Sequence, residues 1–224
     1  METILNSDCT EGLIDMDDNS VDLCLIDPPY FDYKSGHRKD KDSKLSKGIV
    51  QQSREDQIRV IRECIRILKP DRAFFVFTNW ENIYWMQEPF QSFFQNMIIW
   101  DKGNWTAGNL SGSFGNQYEV ILLGAKGKGW KYSGKRLSDI WAIPRMGTNR
   151  VHTTEKPVAL YSEIIENCTQ PGAFIVDPYL GSGASVEAAM RLGRHIMGYE
   201  IDKEYYDVIV NRVANVRKEL SNAS

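Results

Sequence analysis

The chain has 224 residues, of which 42% are hydrophobic and 25% charged, and its 27 basic and 30 acidic residues leave a net charge of −3. These values exclude a disordered chain, a collagen-like repeat, a disulfide-stapled miniprotein and a uniformly basic nucleic-acid binder, though not a locally basic face. The length suits one domain over residues 1–224.

Cys9, Cys24, Cys64 and Cys168 stand far apart, each among apolar neighbours, and read as reduced, buried thiols rather than a metal or redox pair. The first residues carry no basic region before an apolar run. No segment reaches the roughly 18 apolar residues of a membrane span. A soluble intracellular protein is expected, cytoplasmic in a bacterial or phage-infected cell.

In chain order, residues 21–26 read as a buried strand ending at Asp27-Pro28-Pro29. Residues 54–69 read as a helix with Ile58, Ile61, Ile65 and Leu68 on one face, stopped by Pro70. Residues 73–77 form the next strand, 81–95 a helix rich in aromatics, and 97–100 and 119–123 two further strands. Residues 157–168 read as helix, 173–177 as strand, 184–192 as a short helix closed by Gly193, 196–200 as strand and 203–219 as the last helix. This alternation predicts an α/β fold, a mostly parallel sheet with helices on both faces.

Two polar inserts break the rhythm. Residues 32–53 carry Lys34, Arg38 and Lys39 among six basic residues. Residues 124–150 are glycine-rich and interleave Lys128, Lys131, Lys135 and Arg136 with Trp130, Tyr132 and Trp141. Basic residues among aromatics suit phosphate contacts plus base stacking, so these seven cations are the candidate nucleic-acid contacts.

Two turns carry chemistry. Asp177-Pro178-Tyr179-Leu180-Gly181-Ser182-Gly183-Ala184-Ser185 leaves a strand and opens a helix. Its glycines allow close approach to a ligand, and free N–H groups at the helix start can receive an anionic group. Glu200 ends the next strand, where a carboxylate would hold a ribose. Val186 stands where a dinucleotide fingerprint has its third glycine, which argues against NAD or FAD. Asp27-Pro28-Pro29-Tyr30 ends another strand and should share the same rim. A carboxylate, an outward carbonyl and an aromatic ring together suit a planar base with an exocyclic amine.

In combination the two turns resemble the S-adenosylmethionine-dependent DNA amino-methyltransferases acting on adenine N6 or cytosine N4. Having the catalytic tetrapeptide first and the glycine turn last resembles the permuted β group. Further matches are Asn6-Ser7-Asp8-Cys9, Arg66-Ile67-Leu68-Lys69-Pro70, Trp100-Asp101-Lys102, Tyr118-Glu119, His152-Thr153-Thr154-Glu155-Lys156-Pro157 and Gly198-Tyr199-Glu200-Ile201-Asp202. The resemblance implies a Rossmann-like methyltransferase fold of about seven strands in one catalytic domain, with S-adenosylmethionine as cofactor.

It implies catalytic roles for Asp27, Pro28, Pro29 and Tyr30. It also implies cofactor contacts from Asp8, Cys9, Asp27, Lys156, Pro157, Asp177, Pro178, Tyr179, Gly181, Ser182, Gly183, Ser185, Glu200, Ile201 and Asp202. The implied substrate is duplex DNA with the target base flipped out, and the setting restriction–modification. Asp27 leans towards adenine, since relatives acting on cytosine N4 more often have serine there. Cytosine N4 is the alternative, followed by RNA methylation or a silent nucleic-acid-binding partner. Relatives are often homodimers, on which these residues are silent. No metal is required, and His37, His152 and His195 form no ligand-spaced cluster. Gly183→Val is expected to block cofactor binding by filling the cofactor's space.

Overall fold

A computed structural model describes residues 1–29, 52–106, 112, 114–145 and 155–222. Tyr30, Lys34, Arg38, Lys39 and His152-Thr153-Thr154 lie outside the described residues.

The elements are β1 (Glu2–Leu5), α1 (Cys9–Gly12), β2 (Val21–Ile26), α2 (Arg54–Ile67), β3 (Leu68–Thr78), α3 (Ile83–Gln87), β4 (Phe94–Thr106) and β5 (Asn116–Lys126). Then follow β6 (Ile140–Ala142), α4 (Val158–Cys168), β7 (Phe174–Asp177), α5 (Ala184–Arg191), β8 (His195–Tyr199) and α6 (Lys203–Asn222). Among the described residues eight strands form one sheet, ordered β1-β8-β7-β2-β3-β5-β4-β6, where about seven were expected. Two strands were not read from the chain's pattern, β1 and β6, the latter three residues inside the 124–150 insert that pair in parallel with β4. Pairing is parallel from β1 through β3, and only β3–β5 and β4–β5 are antiparallel.

Both faces are buried, and side-chain alternation shows why. Leu23, Leu25, Phe75 and Phe77 point into a core shared with α4, α5 and α6. Their neighbours Cys24, Ile26, Phe74 and Val76 point into a second core with α1, α2 and α3. A central strand covered on both sides therefore reads as a continuous apolar run. All four cysteines are buried and unbridged.

The helix expected over 81–95 is largely absent. Pro89 lacks an N–H donor, so α3 gives way to a single 3-10 turn, Glu88–Phe90. Phe94 then enters β4 and packs its ring 5.5 Å from that of Phe74. In α2 the expected face of Ile58, Ile61, Ile65 and Leu68 packs into the second core, and Gln57, Val60, Cys64 and Ile67 widen the buried stripe. Its start is capped by Ser53, whose hydroxyl accepts from the Asp56 N–H at 3.1 Å.

The first strand and last helix are neighbours. β1 pairs with β8, and Arg217 of α6 forms an ion pair with Glu2. At the opposite end of the central strands, Asp71 has a left-handed backbone (φ 57°) and accepts from the Gly129 N–H at 2.8 Å. A Cβ at Gly127 or Gly129 would lie 2.5–2.6 Å from that carboxylate, so these glycines serve close approach to Asp71.

Candidate active site

The crossover from β2 through α2 to β3 uses one face of the sheet. The crossover from β7 through α5 to β8 runs the other way on the opposite face. Between the adjacent strands β2 and β7 the winding reverses, and a crevice opens past their carboxyl ends, where open α/β sheets take ligands. Across this rim stand Asp8 after β1, Glu200 after β8, Asp177 ending β7 and Asp27 after β2. The structure thus brings together Asp8, Cys9, Asp27, Pro28, Pro29, Lys156, Pro157, Ile201, Asp202 and the glycine turn.

The glycine turn is held by its own carboxylates. Asp177 accepts from the Tyr179 N–H at 2.8 Å and from the Ser185 hydroxyl at 2.5 Å. Gly181 and Gly183 both have left-handed backbones, φ 54° and 80°, and Gly183 caps α5. The Gly181 N–H donates to one oxygen of Glu200 and the Asp202 N–H to the other, each at 2.8 Å. Burial pushes the carboxyls of Asp177 and Glu200 up to about 7. A crevice of closely spaced carboxylates whose ionised forms are costly suits a ligand that brings positive charge. Asp8 instead uses its carboxylate to cap α1, accepting from both the N–H and the hydroxyl of Thr10 at 2.8 Å. Cys9 is buried, and burial pushes its thiol up to about 12, so it is a neutral packing group.

Gly183 corrects one expectation. A Cβ there would meet Ile209 of α6 at 3.0 Å, so a side chain would run into the helix rather than the crevice. Gly183→Ala should therefore act first on stability, costing about 1–2 kcal/mol for the left-handed backbone alone. Thermal unfolding checks this; unchanged stability with lost ligand binding would restore the steric reading.

Lys156 carries the largest surprise. Its ammonium donates to both oxygens of Asp27, at 2.9 and 2.7 Å, and lies 3.4 Å from Glu119. Glu119 in turn lies 3.3 Å from Lys102. Two acids and two bases thus alternate in a largely buried row. Burial works against the Lys156 charge, but Asp27 and Glu119 outweigh it and hold the ammonium well above its ordinary range. Burial also pushes the Asp27 carboxyl up, against the pull of Lys156. Lys156 thus faces Asp27 rather than standing alone as a ligand contact.

Two residues of this site were missed by sequence reasoning. Glu119 was matched only as part of Tyr118-Glu119, with no role attached, because nothing local announces its pairing with Lys156 and Lys102. Gln57 is buried on α2 and donates to the Pro29 carbonyl at 2.8 Å, tying the helix to the tetrapeptide. Its signal was available, a glutamine within an apolar stripe.

The insert's candidate cations Lys128, Lys131, Lys135 and Arg136 are not brought to this rim, although β6 then runs parallel to β4 and returns the chain towards it, with Arg145 past Ala142. β5 runs antiparallel to β3, with Lys126 opposite Arg72, so it delivers the insert to the far edge of the sheet. There Lys126 donates to the Asn19 side chain, and the Lys135 N–H donates to Asn167 at the end of α4. Lys128, Lys131 and Lys135 belong to this far edge, and Arg136 follows directly. Among the described residues no group of three His, Cys, Asp or Glu side chains is placed to hold a metal ion. Among them no helix is long and apolar enough to cross a membrane.

Comparison with known proteins agrees with this geometry. Type II methyltransferase M.HinfI of Haemophilus influenzae is 27% identical over 97% of this chain and 69% of its own length. The structure of the M1.HpyAVI–SAM complex superposes with a TM-score of 0.74 at 22% identity, covering 95% of this chain and 99% of that one. The PvuII DNA methyltransferase, described as cytosine-N4-specific, gives 0.72 at 15% identity over 100% of this chain and 93% of its own. The family model for DNA methylases of the N6/N4 type matches residues 21–211, and the chain belongs to that DNA methylase family.

Proposed function

We propose that this chain is a DNA adenine-N6 methyltransferase that uses S-adenosylmethionine and works as one catalytic domain. The observation that carries the reading is Asp27. It is a carboxylate at the reversal point of the sheet, beside a glycine turn and fixed in place by Lys156.

S-adenosylmethionine supplies an electrophilic methyl group. The residues present fit it: Glu200 for a ribose, the turn of Asp177 to Ser185 for close approach, and a row of carboxylates for a cationic centre. The exocyclic nitrogen of adenine is a poor nucleophile, because its lone pair is delocalised into the ring. Asp27 and the Pro28 carbonyl would accept its two hydrogens and favour a tetrahedral nitrogen with its lone pair turned out of the ring. Such catalysis is positioning and preorganised electrostatics more than proton transfer. Lys156 orients Asp27 and favours its ionised form against burial, and Gln57 steadies the carbonyl side of the loop. The base must leave the duplex to reach this site, and Tyr30 would stack on it.

Cytosine N4 is the second reading, favoured by the similarity to the PvuII enzyme. Asp27 supports adenine. A cytoplasmic setting, restriction–modification and self-association belong to the same proposal. Incubation with S-adenosylmethionine and mixed unmethylated duplex DNA, followed by nucleoside mass spectrometry, is the test. N6-methyldeoxyadenosine is expected; N4-methyldeoxycytidine would overturn the base assignment, and neither product would overturn the activity.

A further inference from the structure

The hairpin of β4 and β5 extends far past the active-site rim. Ile26 is level with Val76 and Val76 with Leu122, so Asp27 stands level with Ile121. From Ile121, β5 continues to Asn116, and its partner β4 continues to Thr106. Five residues at ~3.3 Å each carry the ribbon about 16 Å beyond the level of Asp27. It stands two strand positions from Asp27 in the sheet order, about 10 Å aside at ~4.8 Å per strand.

This projecting ribbon is aromatic rather than basic. Trp105 is 64% exposed, Phe114 97%, and Tyr118 is also exposed. Trp80, immediately past β3 on the same rim, is 63% exposed. Large apolar side chains gathered beside a reaction site mark an interaction surface rather than ordinary surface scatter. The cation Lys102 is turned to Glu119, and the carboxylate of Asp101 is taken by the Gln117 amide and the Gly103 N–H at 2.8 and 2.9 Å. The ribbon therefore presents rings and backbone, with Lys102 paired to Glu119 and the Asp101 carboxylate hydrogen-bonded within the ribbon.

We propose that the β4–β5 ribbon is a DNA-binding element, entering a groove beside the flipped base and stacking Trp105 and Phe114 against neighbouring bases. This rests on the methyltransferase reading, because a base delivered to Asp27 obliges the duplex to pass over this rim. A two-stranded ribbon fits a major groove of about 12 Å. Aromatic insertion offsets the unstacking that flipping leaves behind. The candidate cations Lys128, Lys131, Lys135 and Arg136 follow β5 at the far edge of the sheet and do not reach the flipped base from there.

The experiment compares wild type, the double variant Trp105→Ala/Phe114→Ala, and an aromatic rescue, Trp105→Phe/Phe114→Tyr. Binding of a labelled mixed-sequence duplex is followed by anisotropy, S-adenosylmethionine binding by calorimetry, and methyl transfer by steady-state kinetics. The alanine variant should weaken duplex affinity and raise KM for DNA about tenfold to a hundredfold. Cofactor affinity and kcat at saturating DNA should hold, and the rescue variant should return close to wild type. The dependence of affinity on salt should keep its slope, because no phosphate contact is lost. Unchanged duplex affinity would overturn the proposal. So would a loss that tracks dissociation of a dimer in sedimentation, which would give the ribbon to a second copy of the chain. If wild type transfers no methyl group, the methyltransferase reading fails, and the anisotropy result still decides the ribbon.

Discussion

Asp27→Ala is expected to reduce methyl transfer by about a hundredfold to a thousandfold, the loss typical of removing a preorganised electrostatic partner. The fold should survive, because Lys156 keeps Glu119 at 3.4 Å as a countercharge. Asp27→Asn is the sharper variant. It keeps the shape but turns one acceptor into a donor, which faces both the Lys156 ammonium and the incoming amine. Radiolabelled methyl incorporation with circular dichroism checks both variants. Substantial activity in either would remove Asp27 from the reaction.

Lys156→Met is expected to produce the second large effect, and one with a signature in pH. The thioether fills the stem's space without charge and leaves Asp27 buried beside Glu119 alone. Lys156 now lowers the Asp27 pKa against burial. Without it that pKa rises, so the acid limb of the rate profile moves to higher pH. At neutral pH the rate should fall on the order of a hundredfold, with partial recovery as pH rises. Stability should also suffer, since stranding one member of a buried pair costs about 3–5 kcal/mol. Single-turnover rates across pH decide the matter. A profile that drops uniformly, with its acid limb unmoved, would make Lys156 a structural residue only.

The parts of this site that were legible in sequence are those written locally. Asp27, Asp177 and Glu200 each follow an apolar run, and a parallel sheet places all such ends on one rim. The partner of Asp27 was not legible, because Lys156 lies 129 residues away and only the fold brings the two together. The course of the 124–150 insert was not legible for a related reason: β5 runs against its neighbour β3 and carries Lys128, Lys131, Lys135 and Arg136 to the far edge, before β6 runs back alongside β4. Two of the insert's glycines, Gly127 and Gly129, are explained by one carboxylate, Asp71. Pro89 was a visible breaker within the aromatic-rich run read as one helix, and the chain beyond its 3-10 turn enters β4 at Phe94.

The pairing of β1 with β8, with α6 laid against β1, closes the sheet's connectivity nearly into a loop. On such a scaffold the order of motifs along the chain is a matter of where the loop is cut. The carboxylates meet at the crevice because of which strands are neighbours, not because of which residue is translated first. Catalytic tetrapeptide before glycine turn, or after it, would build the same rim, so gene order and active-site geometry are free to vary independently.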